Sequence, residues 1–429
     1  MKTAHVIIGS AFGDEGKGLF TDYLASRSPA KTCVVRFNGG AQAGHTVELP
    51  DGRRHIFSHF GSGSFAGTPT FLSSHFVCNP IIFLREKAEL ASLHIAPAVY
   101  ADTACPVTTP YDIMINQIVE QTRGHRRHGS VGVGFGETLE RHEHEAFALR
   151  LGDLGNADRL RCHLDRIRLQ WAPARLAALD IQSLPPEWSE RMNAEAIRER
   201  FIEDAAQFLA CLSPVSASHL AHWDHFIFEG AQGLLLDQTR GWFPHVTRSH
   251  TGIRNVLPLA EALGIRDLDV HYLTRPYTTR HGAGPLPHEL PHPPYAGIVD
   301  RTNRPNAYQG TLRFAWLDAD LFTDTVRRDM SDAAGRIHIR PHLGMSCLDQ
   351  IDGDACYVAN GVLHRTDTMS LPILLGERIA AHSQLASFGP TRKTVEAVKT
   401  ARRRSIAGRR NEFFKRLDIV QNNVVTVEA

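Results

Sequence analysis

The chain has 429 residues, 42% of them hydrophobic and 22% charged, with 47 basic residues against 46 acidic ones. That balance is globular and excludes a disordered, collagen-like or fibrous chain. A formal charge of +1 gives the chain as a whole no electrostatic basis for wrapping nucleic acid or lying on a membrane.

The length fits two or three domain-sized units, or one large α/β domain with insertions. Lysines are scarce: Lys2, Lys17, Lys31, Lys87, Lys393, Lys399 and Lys415 are the only ones. No lysine lies between 87 and 393, which limits where a lysine ligand can come from. The seven cysteines are widely spaced and form no CxxC pair, so reduced thiols in a cytoplasmic protein are expected rather than a disulfide framework or zinc site. The start of the chain is too short in apolar residues for a signal-peptide core, and no apolar run reaches the roughly 18 residues a membrane helix needs.

Val6 to Ile8 is a β-branched run closed by Gly9 and reads as a buried first strand. A glycine-rich bend follows, then LFTDYLA with helical spacing. Thr32 to Phe37 is a second strand candidate ending in NGGAQAGHT. Residues 157–212 carry helical patterns, interrupted by Pro185–Pro186. His225 to Glu229 and Val270 to Leu273 are further short strands, each leading into a glycine-rich loop. Short strands, glycine loops and intervening helices predict an α/β fold with a central, mostly parallel sheet, surrounding helices and an inserted helical subdomain. In such sheets ligands bind at the carboxyl ends of the strands. Residues 1–399 read as one domain. The stretch 400–429 reads as a basic extension in which Arg402–Arg404, Arg409 and Arg410 form a solvated face rather than a nucleic-acid patch.

The segment Gly9–Gly18 follows a strand and opens a helix, as a phosphate-cradling loop does. It is P-loop-like but not a Walker A loop, because Ala11 and Gly18 stand where that pattern needs Gly and Ser or Thr. It places a carboxylate, Asp14, and an ammonium, Lys17, within one turn of the bend. Taken alone, Asp14 also fits a helix N-cap, His45 a hydrogen-bonded loop histidine, and GAQG a tight turn. His142–Glu145 and His288–His292 lack metal-ligand spacing and read as surface histidines.

GDEGKG at 13–18 and FNGGAQAGHT at 37–46 resemble the first two signatures of the adenylosuccinate synthetase family. FEGAQG at 228–233 with Leu234–Asp237, PHVTRSH at 244–250 and TTRHGAGP at 278–285 are similar to later ones. So are Trp316–Asp318, Leu348–Gly353 and Gly389–Arg392, all in the same order. The resemblance implies a ligase that joins L-aspartate to C6 of a 6-oxopurine nucleotide, IMP first, through a 6-phosphoryl intermediate made from a nucleoside triphosphate.

The resemblance also implies site residues. Asp14 would take the ring N–H proton and hold Mg²⁺ with the Gly44 carbonyl, while His45 would donate to the leaving phosphate oxygen. Lys17 would be the third catalytic residue, neutralising phosphate charge, and with Gly13, Glu15, Gly16, Gly18, Gly44, His45, Thr46, Asp349, Gly389 and Pro390 it would bind the donor nucleotide. Gln42, Ser130, Val131, Gln232, Leu236, Thr247, His281 and Gly282 would bind the acceptor. Arg301, Arg304, Thr311 and Arg313 would hold aspartate. A cytoplasmic homodimer that uses small-molecule substrates, without nucleic acid or membrane, is implied as well.

Three departures from the family pattern fall on substrate-reading loops. The consecutive arginines of the aspartate loop are missing. Cys347 stands in Ser346-Cys-Leu-Asp349 where the family has a guanine-packing lysine. In the glycine loop Gly129–Gly136, Val131 and Val133 replace polar residues, and the arginine normally lent by the neighbouring subunit is absent at its usual spacing, with Arg141 as a displaced candidate. Two alternatives follow: a variant enzyme taking (d)GMP as acceptor with an adenine nucleotide as donor, or a nucleotide-binding paralogue without catalysis.

Overall fold

The structure is a computed structural model that describes residues 2–124, 129–299 and 311–398. Among the described residues the first strands are β1 (Thr3–Gly9), β2 (Thr32–Arg36), β3 (His45–Glu48), β4 (Arg54–Phe57), β5 (Thr70–Leu72) and β6 (Val99–Asp102). They are followed by β7 (Ser213–Val215), β8 (His225–Gly233), β9 (Asp267–Thr274), β10 (Tyr277–Arg280), β11 (Glu289–Leu290) and β12 (Arg313–Asp318). The last are β13 (His338–Met345), β14 (Ala355–Ala359), β15 (Val362–Thr366), β16 (Ser383–Ser387) and β17 (Val395–Ala397).

Ten strands form one sheet in the order β17-β16-β13-β9-β1-β8-β2-β5-β6-β7, parallel except for the β16–β17 pair. β1 lies at its centre between β8 and β9, and this position explains its sequence. Val6 and Ile8 face one core with Phe226, Phe228 and Val270. Ile7 faces the other with Leu19 and Phe20 of α1 (Lys17–Arg27). A strand covered on both faces needs a continuous apolar run rather than alternation. A second sheet, β10-β12-β14-β15 with β11 on β12, and the β3–β4 hairpin stand apart from the main sheet.

The α/β expectation holds, with two local corrections. β8 runs on through Gly233, so GAQG is strand with an irregular register against β1 rather than a turn beyond it. Likewise, the start of TTRHGAGP belongs to β10. The interval expected to be helical contains Ala157–Arg166, a π turn at Ile167–Trp171, Ala172–Ala178, Pro186–Asn193 and Glu195–Ala210. Trp171, Trp188 and Phe208 pack there into a second core. Before it come α2 (Pro80–Ser92), α3 (Pro110–Arg123) and α4 (Phe135–His142). Among the described residues no helix is long and apolar enough to cross a membrane. The 400–429 extension, Arg301 and Arg304 lie outside the described residues.

Candidate active site

Five adjacent strands, β13, β9, β1, β8 and β2, turn their carboxyl ends to one edge of the sheet. The loops that follow them carry most of the residues singled out above. Glycine is dictated at two points in the first loop. Gly16 caps α1 with a left-handed φ of 90°, a conformation that favours glycine. A Cβ on Gly18 would come within 2.7 Å of the Thr46 carbonyl. The β3 strand therefore presses directly on the start of α1, and the first and second signatures form one contiguous wall.

Within that wall the Glu15 side chain turns inward. Its Oε1 accepts from the backbone N–H of Ala11 at 3.0 Å and of Gly13 at 2.8 Å. Lys17 donates to the Gly13 carbonyl and lies 3.3 Å from Glu15, with its side chain 1% exposed. Both residues therefore brace the loop. Asp14 points elsewhere: its Oδ2 lies 3.2 Å from His281 Nε2, and Gly16, not Asp14, caps the helix. Burial would raise the Asp14 pKa, but His281, Arg275 and Lys17 outweigh it and bring the carboxyl down to about 2.

His45 is buried, and its Nδ1 contacts Glu229 Oε1 at 2.6 Å. Burial lowers the His45 pKa to about 4, against the opposing pull of Glu229. Its Nε2 is buried with no hydrogen-bond partner among the described residues. Glu229 is itself fully buried. Burial would raise it, but Arg36, His45 and Ser62 hold it below the ordinary glutamate value.

A cavity of about 480 Å³ opens at this edge. Gly13, Asp14, Gln42, Gly44, His45, Ser130, Val131, Gln232, Leu236, Thr247 and His281 all line it. Both amide atoms of Gln42 are buried without a hydrogen-bond partner among the described residues, which makes them candidates to pair with a ligand's polar groups. Gln232 has a left-handed φ of 65°. Thr247 N–H donates to the Leu236 carbonyl at 2.8 Å, tying two lining segments together. Gly282 is not part of the lining, although His281 and Ala283 on either side are.

Glu15, Gly16, Lys17, Gly18, Thr46, Asp349, Gly389 and Pro390 stand outside the cavity lining. They are nevertheless linked around α1. Ser346 Oγ donates to the Glu15 carbonyl at 3.1 Å, Arg392 reaches Asp22 at 3.1 Å, and Thr391 bridges Glu48. Asp349 and Pro390 are exposed.

Two arginine expectations need correction. Arg141 is fully buried, with its fork on Asp112 at 2.9 Å and its remaining N–H groups on the carbonyls of Val107 and Phe147. It is sealed inside its own chain and cannot be lent to another. Arg313 has its fork on Glu289 and its third nitrogen on the carbonyls of Gly282 and Gly284, at 3.0 and 2.9 Å. It pins the HGAG loop instead of presenting a free fork. Thr311 is exposed.

Sequence reasoning missed Glu229 as the partner of His45. The available signal was a lone carboxylate in an otherwise apolar strand, HFIFEG, because a buried charge requires partners. Arg280 was missed too. It is 2% exposed, lies over Phe12 at 4.5 Å, and donates to the carbonyls of Ala283, Pro285 and His245.

Residues 6–334 match the family model described as adenylosuccinate synthetase. The chain belongs to the adenylosuccinate synthetase family. The adenylosuccinate synthetase of Neisseria gonorrhoeae strain FA 1090 is 33% identical over 329 residues, covering 73% of this chain and 72% of that protein. The one from Acidithiobacillus ferrooxidans is 32% identical over 376 residues, covering 83% and 81%. Among solved structures, the fully ligated adenylosuccinate synthetase of Plasmodium falciparum superposes with a TM-score of 0.69 at 18% identity, covering 93% of this chain and all of that one. The cyanophage S-2L succinoaminodeoxyadenylate synthetase, bound to dGMP and dATP, superposes at 0.60 with 14% identity, covering 93% and 96%. At those identities the likeness carries the fold alone. As a member of the adenylosuccinate synthetase family, the chain is a ligase of purine biosynthesis that forms a carbon–nitrogen bond with nucleoside triphosphate hydrolysis.

Proposed function

We propose that this chain joins L-aspartate to C6 of IMP, using a nucleoside triphosphate to phosphorylate the 6-oxygen first. One observation carries the reading: Asp14, in the loop after β1, and His45, at the start of β3, line a single cavity together with Gln42, whose amide has no partner among the described residues. A ring oxygen becomes nucleophilic once the neighbouring N–H loses its proton, and an ionised Asp14 is the acceptor for it. His45 acts at the other end of the transfer. Its Nδ1–H is taken by Glu229, so Nε2 can donate only when the ring is protonated. Donor phosphates would supply the negative charge that favours this form.

The residues present also fit Mg²⁺. Asp14 and Gly44 both line the cavity, and Mg²⁺ sites usually combine one or two carboxylates with substrate phosphates and water. Held there, the ion would offset phosphate charge during transfer. Glu15 and Lys17 hold the donor loop in shape, and Gly13, Gly16, Gly18, Thr46, Asp349, Gly389 and Pro390 form the donor side. Ser130, Val131, Gln232, Leu236, Thr247 and His281 form the acceptor side. We assign aspartate to the loop carrying Arg301 and Arg304, next to Thr311. A cytoplasmic homodimer completes the reading.

A second reading rests on Cys347. With Cys347 in place of the guanine-packing lysine, an adenine nucleotide becomes the alternative donor, and (d)GMP the alternative acceptor. Phosphate release measured over a matrix of IMP, GMP and dGMP against GTP, ATP and dATP, with aspartate and Mg²⁺, separates the two. No turnover in any cell of that matrix would sink both.

A further inference from the structure

We propose that Arg248 is the arginine that takes the acceptor's phosphate, supplied by the same chain and held in reserve by two glutamates. This rests on the nucleotide-acceptor reading above and names the residue that grips the anionic end.

Three arginines line the cavity: Arg123, Arg248 and Arg280. Arg280 is fixed, since each of its three nitrogens donates to a backbone carbonyl and the residue is buried. Arg123 pairs with Glu120 at 3.5 Å, and that carboxylate is 2% exposed. Drawing Arg123 away would leave that buried carboxylate with the Gly129 N–H, at 3.1 Å, but without its cation, which is costly. Arg248 is in a different position. Its two terminal nitrogens reach Glu140 on α4 and Glu143 just past the end of that helix. Both carboxylates can do without it. Glu143 is 63% exposed and would simply be hydrated. Glu140 keeps Arg175, 3.1 Å away, which also holds Glu137 at 2.8 Å.

The backbone under Arg248 is held in place, because Thr247 N–H is bonded to the Leu236 carbonyl. The glycine loop that opens α4 contributes Ser130 and Gly132 to the same cavity. Exposed ion pairs contribute little net stability, whereas a bidentate guanidinium–phosphate contact is strong and directional. A phosphate arriving against the glycine loop therefore competes well for Arg248. The buried Arg141 cannot serve that role in this chain or in a neighbour.

The test compares wild type with Arg248→Ala, Arg248→Lys and Glu143→Gln, measuring KM for IMP and the inhibition constant of inosine, which lacks the phosphate. Arg248→Ala should raise the IMP KM by about 10- to 100-fold and leave inosine unchanged. Arg248→Lys should fall between. Glu143→Gln, which removes a competitor for the guanidinium, should lower the IMP KM. An unchanged IMP KM in Arg248→Ala, or equal weakening of IMP and inosine, overturns the proposal. So does a weaker IMP KM in Glu143→Gln, which also decides the matter if Arg248→Ala does not fold. If wild type turns over no 6-oxopurine nucleotide, the functional reading fails separately. Calorimetric binding of inorganic phosphate then tests Arg248 directly: loss of binding in Arg248→Lys and Arg248→Ala supports the assignment, and equal binding overturns it.

Discussion

Nδ1 of His45 lies 2.6 Å from Oε1 of Glu229, a residue 184 positions later in the chain. The contact joins the β3 hairpin to a central strand of the main sheet and fixes which ring nitrogen faces the cavity. Glu229 is thus a positioning residue. Glu229→Gln should lower kcat by about 10- to 100-fold with a smaller effect on KM. Without the carboxylate the imidazolium of His45 is harder to form, so the kcat–pH profile should move to lower pH. A fall in thermal stability with an unmoved profile would mean that Glu229 only supports packing beside Arg36.

Asp14→Asn keeps the shape of the side chain and removes its basicity. We expect phosphate release to fall by about 10²- to 10⁴-fold while calorimetry still detects nucleotide binding. His45→Ala should behave in the same way. A wild-type rate in either variant would remove that residue from the proposed chemistry.

The pKa of His45, lowered to about 4, has two measurable consequences. Between about pH 6.5 and 4 the unfolded chain binds a proton that the folded chain does not, so stability contributed by the neutral ring is present at higher pH and lost as pH falls through that window. His45→Asn should flatten the slope of stability against pH there. Donor binding should, in turn, take up a proton at His45. Calorimetry in buffers of different ionisation enthalpy should show an uptake in wild type that exceeds that in His45→Ala.

Arg141 should matter for stability rather than chemistry. Arg141→Met leaves Asp112 buried without its cation, at a cost of about 3–5 kcal/mol, while Asp112 remains the capping partner of Thr109 at the start of α3. Denaturant unfolding should register the full loss. The donor KM should be little changed.

Cys347 starts the short turn that carries Asp349 and takes a left-handed φ of 63°. Cys347→Lys should raise the GTP-to-ATP ratio of kcat/KM by about tenfold if a cation packing on guanine sets donor choice. An unchanged ratio would place donor selection in other residues.

Much of the site was legible because its chemistry is local. Gly13, Gly16 and Gly18 mark a bend before a helix, and β-branched runs mark buried strands, so the GDEGKG and NGGAQAGHT loops could be read without coordinates. The partnerships were not legible. His281 on Asp14, Glu229 on His45, Glu289 on Arg313 and Asp112 on Arg141 join residues distant in sequence. GAQG was misjudged because glycine signals a turn locally, whereas β8 continues along β1 as far as the Gly9–Gly233 pair, beyond the point where β2 leaves it at Glu229.

The order of residues along the chain was therefore enough to establish an α/β sheet with catalytic-type loops at strand ends, since hydrophobic period and glycine placement act over a few residues. Only the tertiary structure decided which charged groups remain available to a ligand. Availability depends on which carboxylate or carbonyl the parallel-strand register brings within hydrogen-bond reach, and that register is set by packing across the whole sheet. Arg141 and Arg248 look alike in one dimension. In three, one is sealed against Asp112 and the other rests on carboxylates that can release it.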